Sequence, residues 1–228
     1  MKVKVCGVKR HTDLEWLDGM VDYVGFILAP RGLTPRALTV TEARDMFAAV
    51  EKSVPVAVTA GMEVVDAVVA AEEAGAPVIQ YHEPLTVEAL NLLLAEAGLR
   101  DMAVAPVLLY DTRLKRWRGL SPEELRMFLE DNPGDAIIEY VLVDAVKGSP
   151  PEGPQGLRLP LGVYREAVEA LSCYTVAAAG GVKPGNACLA ASTGVGMIDV
   201  SSGVEEAPGA KSRVLVEKLL EELRKCGR

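Results

Sequence analysis

The stretch that decides the fold is YTVAAAGGVKPGNACLAASTGVGMIDVS, residues 174–201. Two apolar runs, 174–180 and 195–201, lie on either side of a segment with helical spacing. Runs that are apolar throughout are typical of parallel strands with both faces buried, and successive parallel strands need a long crossover that is usually a helix. Residues 174–201 therefore predict a strand–helix–strand unit of a parallel sheet.

The same alternation occupies the rest of the chain. Half of the residues are hydrophobic but only 5% are aromatic, so the core must be mainly aliphatic. Eight apolar runs alternate with eight amphipathic stretches, and no low-complexity linker interrupts them. This pattern predicts an α/β fold, a single (β/α)₈ TIM barrel over residues 1–228, with a doubly wound open sheet as the alternative. The predicted strands are 3–6, 22–28, 54–59, 76–82, 102–109, 137–144, 174–180 and 195–201.

Capping residues predict where several of the helices begin and end. Ser121 has a side chain suited to an N-cap, and so has Thr39 or Thr41 at the start of another helical pattern. Gly75 and Gly98 follow two further patterns and are predicted to end them in the left-handed conformation.

Charge and cysteine spacing argue against several classes of protein. The formal net charge of -8 argues against nucleic-acid binding, and the basic piece LKRWRG (114–119) is interpreted as a solvated loop. No apolar run is long enough to span a bilayer, so no membrane partner and a cytoplasmic location are expected. Cys6, Cys173, Cys188 and Cys226 lack the spacing of metal ligands, so neither a metal site nor a disulfide framework is expected.

In a barrel of this kind, the functional residues lie at the carboxyl ends of the strands. Cys6, His82 and Asp144 end the first, fourth and sixth predicted strands. Paired glycines end the seventh strand, and a Ser-Ser-Gly sequence ends the eighth. Because glycine lets backbone N–H groups approach an anion, these two ends together predict a phosphate site. The predicted phosphate-binding residues are Gly180, Gly181, Ser201, Ser202 and Gly203.

The sequence resembles the phosphoribosylanthranilate isomerases of tryptophan biosynthesis. The matching pieces run in the family's order and cover nearly the whole chain, and the first and last of them are the most specific. They are KVKVCGVKR (2–10), VGFILA (24–29), TPRALTVTEAR (34–44), VIQYHEP (78–84), VLVDAV (141–146), AAGGVKPGNA (178–187) and IDVSSGVEEAPGAKS (198–212).

The resemblance implies an isomerase that rearranges N-(5-phosphoribosyl)anthranilate to 1-(2-carboxyphenylamino)-1-deoxyribulose 5-phosphate. This Amadori rearrangement needs one acid and one base and no cofactor. By motif, the base falls on Cys6 and the acid on Asp144. The expected partner is a small molecule with phosphate and carboxylate groups, and the expected assembly is a monomer or a homodimer.

The resemblance also assigns residues that contact the substrate. Arg36 matches the arginine that holds the anthranilate carboxylate, since a guanidinium binds a carboxylate with two parallel hydrogen bonds. Asp199 matches an aspartate near the anthranilate ring. Gln80 and His82 are interpreted as shaping the mouth of the barrel, with His82 outside the proton transfer. Lys183 is expected to point to solvent.

One loop departs from the family pattern. After Asp144 the family usually carries Gly-Gly-Thr-Gly and then Phe-Asp-Trp, whereas this chain reads AVKGSPPEGPQGLRLPLGVY (145–164). Two alternatives therefore stay open. One is a homologue that binds phosphate ligands with reduced or lost turnover. The other is a related sugar-phosphate isomerase, although that enzyme uses two aspartates where this chain has Cys6 and Asp144.

Overall fold

Eight parallel strands form the centre of the fold, and each lies where the sequence predicts it. The computed structural model describes residues 1–132, 136–148 and 150–226. The barrel strands are β1 (Lys2–Cys6), β2 (Tyr23–Leu28), β3 (Val54–Thr59), β4 (Val78–Tyr81), β5 (Ala103–Val104 and Val107–Asp111), β6 (Val141–Ala145), β7 (Val176–Ala178) and β8 (Met197–Val200).

The strands close into a ring because both ends of the sheet find partners. Consecutive strands pair in parallel, and β8 pairs with β1, with Lys2 opposite Met197. The first part of β5 pairs with β4 and its second part with β6. Every barrel strand therefore has two neighbours, which confirms the barrel and excludes the open sheet.

A helix follows each barrel strand and covers the outside of the ring. The helices are α1 (His11–Leu17), α2 (Val40–Ala48), α3 (Val64–Ala74), α4 (Val87–Gly98), α5 (Pro122–Asp131), α6 (Leu161–Ala170), α7 (Ala187–Ala191) and α8 (Arg213–Cys226). Their apolar faces pack against the strands in one continuous cluster of buried aliphatic residues. Within the described parts of the chain, no helix combines the length and the apolar character that a membrane span requires.

The two predicted N-caps are confirmed, and both are capping boxes. The Thr39 hydroxyl accepts a hydrogen bond from the backbone N–H of Glu42 at 3.2 Å, so α2 begins there and not at Thr41. The Ser121 hydroxyl does the same for Glu124 at 3.3 Å. Each glutamate side chain returns a bond to the backbone of its cap, which satisfies two donors at the helix start.

The two predicted C-terminal glycines behave differently. Gly75 ends α3 in the left-handed conformation, with φ 81°, as predicted. The prediction for Gly98 is wrong, because Gly98 is the last residue of α4 and the cap is Leu99 with φ -60°. The backbone keeps its right-handed turn beyond Leu99 and reverses only at Asp101, with φ 53°.

The basic piece 114–119 is solvent-exposed as predicted, except for its half-buried tryptophan, but its second half is a strand of a hairpin and not a loop. Residues Arg116–Arg118 form a short strand that pairs antiparallel with the end of β5. The Trp117 ring packs edge-on against Tyr110 at 5.2 Å, and its indole N–H donates to Glu166 at 2.8 Å. Successive side chains of a strand point to opposite faces, so the two arginines face solvent while the tryptophan between them is half-buried. The exposed arginines are what made this strand resemble a loop in the sequence.

A disulfide joins Cys188 in α7 to Cys226 at the end of α8, which corrects the expectation from cysteine spacing. The two residues are 38 apart in sequence, but helix packing brings their Cα atoms to 5.6 Å, within the usual range for a disulfide. Sequence spacing does not predict such a pair, because it depends on the contact between the last two helices. Cys6 and Cys173 are free thiols.

Candidate active site

A cavity of about 570 Å³ opens at the carboxyl ends of the barrel strands. The predicted base and acid, Cys6 and Asp144, both line this cavity, and so do all of the predicted substrate-binding residues. A smaller cavity of about 350 Å³ adjoins it and shares Arg158, Gly181 and Ser202 with it. The structure thus brings the predicted site residues to one end of the barrel.

Cys6 ends β1 and is almost fully buried, with 8% of its surface exposed. The neighbouring residue on β2 is Gly25, where a Cβ atom would come within 3.2 Å of both Cys6 Sγ and Lys4 Cε. The missing side chain therefore leaves room for the thiol and the lysine to lie close together. Burial raises the pKa of the Cys6 thiol, although the positive charges of Lys4 and Lys211 act against the rise.

A polar layer forms the floor of the cavity. The fully buried Lys4 ammonium donates to Asp199 Oδ2 at 2.7 Å and to Gln80 Oε1 at 3.0 Å, and the Tyr140 hydroxyl donates to the same Gln80 oxygen at 2.8 Å. Burial lowers the pKa of Lys4, but the neighbouring acidic groups, with the Asp199 carboxylate first among them, together raise it overall. Gln80 therefore lies in the floor of the cavity and not at the mouth of the barrel, where the sequence prediction placed it.

Lys4 and Tyr140 are site residues that the sequence predictions miss. A usable signal exists for Lys4, because it lies two positions before Cys6 in a strand, and residues at that spacing point to the same side. A lysine on the inner face of a barrel strand needs a buried anion. Asp199 is that anion.

Asp199 has one carboxylate oxygen to spare. Its Oδ2 atom is paired with Lys4, while its buried Oδ1 atom has no hydrogen-bond partner among the described residues. A buried acceptor without a partner loses the free energy of its hydration. Because Asp199 lines the cavity, a donor group of a bound ligand can complete the hydrogen bonding of Oδ1.

Asp144 is the penultimate residue of β6 and lines the same cavity. Its Oδ1 atom accepts a 2.7 Å hydrogen bond from the backbone N–H of Ala145, and its Oδ2 atom lies 3.6 Å from His82 Nε2. Burial raises the pKa of Asp144, and it does so against the opposing effects of His82 and of the Ala145 bond. A carboxyl group with a raised pKa retains its proton closer to neutral pH, which suits a general acid.

Arg36 lines the cavity, but part of its guanidinium is already paired. Its Nε and Nη2 atoms bind the Glu205 carboxylate at 2.8 and 2.5 Å, and Lys211 binds the same carboxylate at 2.7 Å. The Lys211 ammonium also donates to the Cys6 carbonyl at 2.6 Å. Glu205 and Lys211, which the sequence predictions miss, thus connect Arg36 to the end of β1 and leave the Nη1 edge of Arg36 for a ligand.

The predicted phosphate residues surround the smaller cavity and its border with the larger one. Gly180 and Gly181 follow β7 with φ 86° and 83°, a conformation that favours glycine. A Cβ on Gly181 would come within 2.7 Å of the Gly156 carbonyl oxygen, and one on Gly203 would overlap the Val182 carbonyl. Three loops therefore meet here more closely than side chains would allow.

Asn186 holds this arrangement together. Its Oδ1 atom accepts from the Lys183 backbone at 2.8 Å, and its Nδ2 atom donates to the carbonyls of Gly181 and Gln155 at 3.0 and 3.2 Å. The loop after β6 is thus fastened to the loop after β7, although its sequence departs from the family. Ser149 of that divergent loop lies outside the described residues. Lys183 is exposed, as expected, but its side chain lines the smaller cavity.

Two curated relatives match the chain over almost its whole length. The N-(5'-phosphoribosyl)anthranilate isomerase of Pyrobaculum islandicum is 39% identical over 98% of this chain and 98% of its own. The corresponding protein of Pyrobaculum aerophilum is 40% identical over 96% of each chain. The family model described as N-(5'phosphoribosyl)anthranilate (PRA) isomerase matches residues 134–222.

A solved structure shows the same architecture. The phosphoribosyl anthranilate isomerase of Thermus thermophilus superposes with a TM-score of 0.74 at 25% identity, and the match covers 99% of both chains. Relatives at this level of identity and coverage establish the family, and they confirm the resemblance that the sequence motifs indicate. The chain belongs to the N-(5'-phosphoribosyl)anthranilate isomerase family.

Proposed function

We propose that this protein catalyses the Amadori rearrangement of N-(5-phosphoribosyl)anthranilate, with Asp144 as the acid and Cys6 as the base. The observation that carries the proposal is that a carboxyl group with a raised pKa and a thiol line one cavity beside the glycine-rich loops after β7 and β8. The rearrangement needs an acid, a base and a fixed phosphate, and the carboxyl group, the thiol and the glycine-rich loops match these three needs.

Asp144 acts first. Its proton passes to the ring oxygen of the ribose as the C1′–O bond breaks, and the lone pair of the anthranilate nitrogen forms the C1′=N iminium. The burial that raises the pKa of Asp144 keeps this proton available. His82, 3.6 Å from the carboxylate, is placed to stabilise the negative charge that Asp144 acquires.

Cys6 then removes the proton from C2′. The electron pair of the C2′–H bond forms the C1′=C2′ double bond of an enolamine and neutralises the iminium. The enolamine gains a proton at C1′ and loses the one on its C2′ oxygen, which gives the ketone. The Lys4 and Lys211 ammonium groups favour the thiolate that this step needs, against the effect of burial.

The remaining predicted residues hold the substrate in this proposal. Asp199 Oδ1, which has no partner among the described residues, accepts the anthranilate N–H. The Nη1 edge of Arg36 binds the anthranilate carboxylate, and the loops after β7 and β8 bind the phosphate. All of these residues come from one chain, so the proposal applies equally to a monomer and to a homodimer. The substrate is a charged small metabolite, which supports a cytoplasmic location.

Growth of a tryptophan auxotroph that lacks this isomerase tests the proposal. We expect the wild-type chain to restore growth, and the Cys6→Ser and Asp144→Asn variants, produced at equal levels, to fail. Failure of a folded wild-type chain would favour the homologue without turnover. Equal growth with all three chains would remove Cys6 and Asp144 from the mechanism.

A further inference from the structure

Two positively charged side chains border the smaller cavity without an anionic partner among residues 1–132, 136–148 and 150–226. Arg158 and Lys183 both line it, together with Gly181, Ser202 and Gly203. Neither side chain makes an ion pair or a side-chain hydrogen bond with any of the described residues. Most of the arginines elsewhere in the chain pair with a nearby carboxylate or carbonyl group. Two unpaired cations at one cavity indicate that its ligand carries more than one negative charge.

Backbone contacts place Arg158 firmly beside the glycines. Its N–H donates to the Gly180 carbonyl at 2.8 Å, and its Cγ atom lies 3.3 Å from the point that a Cβ of Gly181 would occupy. The side chain reaches both the larger and the smaller cavity. A guanidinium in this position borders the smaller cavity on one side and, on the other, the larger cavity that Cys6 and Asp144 line.

Lys183 approaches the same space from the loop after β7. Its Nζ atom lies 3.5 Å from the point that a Cβ of Gly156 would occupy. Gly156 and Arg158 both belong to the loop after β6, whose sequence departs from the family pattern. The divergent loop thus supplies the guanidinium of Arg158 at one side of the cavity. At the other side it supplies Gly156, which leaves room for the Lys183 ammonium.

We propose that Arg158 and Lys183 bind the substrate's phosphate through their side chains, so that the divergent loop is a phosphate clamp of this chain. The proposal rests on the proposed function and assigns two further residues to its phosphate site. The overall charge of -8 repels a dianion, so the attraction has to be local. Arginine can bind two phosphate oxygens in parallel, and lysine adds a point charge.

The position of Arg158 also connects phosphate binding with the acid. A Cβ on Gly180 would lie 3.1 Å from Asp144 Oδ1 and 3.6 Å from Arg158 Cβ, so the carboxylate and the arginine flank the same glycine. Burial raises the pKa of Asp144, and Arg158 is one of the charges that oppose this rise. A phosphate that neutralises Arg158 therefore favours the protonated acid.

Titration of the purified protein with inorganic phosphate tests the clamp without any need for turnover. A charge-assisted hydrogen bond contributes about 1.5–3 kcal/mol, so Arg158→Gln should weaken phosphate binding about 10- to 100-fold. Arg158→Lys should recover part of the loss, and Lys183→Gln should weaken binding less. Arg165→Gln, which removes an exposed arginine of α6, is the matched control and should change nothing.

Steady-state kinetics separate the clamp from a role in chemistry. We expect Arg158→Gln to raise KM for the phosphoribosyl substrate in parallel with the phosphate dissociation constant, with a much smaller change in kcat. Phosphate binding that is equal in wild type, Arg158→Gln and Lys183→Gln would overturn the clamp, even if turnover proceeds. Phosphate binding that is weaker in Arg158→Gln than in the wild type would support the clamp, even if the wild type proves inactive.

Discussion

Burial shifts the pKa values of the proposed base and the proposed acid in the same direction, although their proposed tasks are opposite. It raises the pKa of Asp144, which must be protonated, and also that of Cys6, which must be ionised. At any pH between the two pKa values, only a small fraction of the enzyme has Asp144 protonated and Cys6 ionised at the same time. This fraction does not change with pH, because a rise in pH ionises Cys6 as much as it deprotonates Asp144. Lys4 and Lys211 enlarge that fraction because they oppose the rise at Cys6.

Replacing the thiol tests the base. Cys6→Ser keeps the size of the side chain but substitutes a hydroxyl group, whose pKa is far higher. We expect kcat to fall by a factor of about 10²–10⁴, as for the loss of a general base, with an unchanged melting temperature. A variant that keeps near wild-type turnover would exclude Cys6 as the base.

Replacing the acid should lower activity and raise stability. Asp144→Asn keeps the shape but removes the proton, so kcat should fall by about 10²–10⁴. The pKa of Asp144 is higher in the folded protein, so folding favours the protonated form of this carboxyl group. The resulting contribution to the free energy of unfolding is lost as the pH rises through the folded pKa. At pH 7 the variant should therefore melt a few degrees above the wild type.

The pH dependence of the stability difference is the control for Asp144. As the pH falls toward the ordinary aspartate value of about 3.9, the wild-type carboxyl becomes protonated in both states and the two melting temperatures should converge. A variant that is less stable than the wild type at pH 7 would contradict a raised pKa of the partly buried Asp144. Unchanged turnover would require another acid.

At the scale of elements, the strands were predictable and the site loops only in part. The apolar runs predict all eight barrel strands because each strand is buried on both faces. Close approaches between loops, such as Gly203 against the Val182 carbonyl, depend on distant parts of the chain and leave no local pattern. The Gly98 error has a local cause, since Leu99 is still right-handed and the backbone first turns left-handed at Asp101.

The residues of the site divide in a similar way. Motifs identify Cys6, Asp144 and Arg36 because these side chains occur in characteristic local sequences. Lys211 and Glu205 escape prediction because their roles arise from contacts across the barrel, such as the 2.6 Å bond from Lys211 to the Cys6 carbonyl. Residues that position other residues are therefore the ones that sequence patterns reveal least.

The loop glycines provide the prediction that belongs to this scale. Gly181→Ala places a Cβ atom within 2.7 Å of the Gly156 carbonyl at a position with φ 83°, so the loops after β6 and β7 must separate. We expect KM for the substrate and the dissociation constant of inorganic phosphate to rise together. Both are measured by kinetics and by titration of the purified variant.

Gly194→Ala is the matched control. Gly194 also has a positive φ, 92°, but precedes β8 at the opposite end of the barrel. A Cβ on Gly194 would meet only the Val168 side chain at 3.4 Å, so Gly194→Ala introduces the left-handed backbone strain without the clash between loops and should leave both constants unchanged. If Gly181→Ala lowers stability without weakening phosphate binding, the cradle is not at Gly181.

At the scale of the whole molecule, we propose that the eight units form one domain whose last two helices are fastened together. The Cys188–Cys226 disulfide links α7 to the end of α8, and Glu222 of α8 accepts hydrogen bonds from the backbone of Gly185 and Cys188 at 2.5 and 3.0 Å. The last helix is thereby attached to the loop that carries two of the predicted phosphate-binding glycines, Gly180 and Gly181.

Removing the disulfide should lower stability and spare the chemistry. A crosslink that closes 38 residues contributes about 3–4 kcal/mol in the chain-entropy treatment. Cys226→Ser should therefore lower the melting temperature by roughly 10 °C in a single transition, with kcat at 25 °C unchanged. Cys173→Ser removes a free thiol and is the control. Equal melting of wild type and Cys226→Ser under oxidising conditions would show that the disulfide does not stabilise the fold.

Conversion of N-(5-phosphoribosyl)anthranilate by the purified protein tests the central claim most directly. Substrate and product are isomers, so NMR distinguishes them through loss of the anomeric C1′ signal and appearance of the C2′ ketone. We predict complete conversion by catalytic amounts of wild type, and conversion slowed by about 10²–10⁴ with Cys6→Ser or Asp144→Asn. A wild-type protein that binds the substrate but leaves it unchanged, even at stoichiometric concentration, would contradict the assignment of this cavity as an isomerase active site.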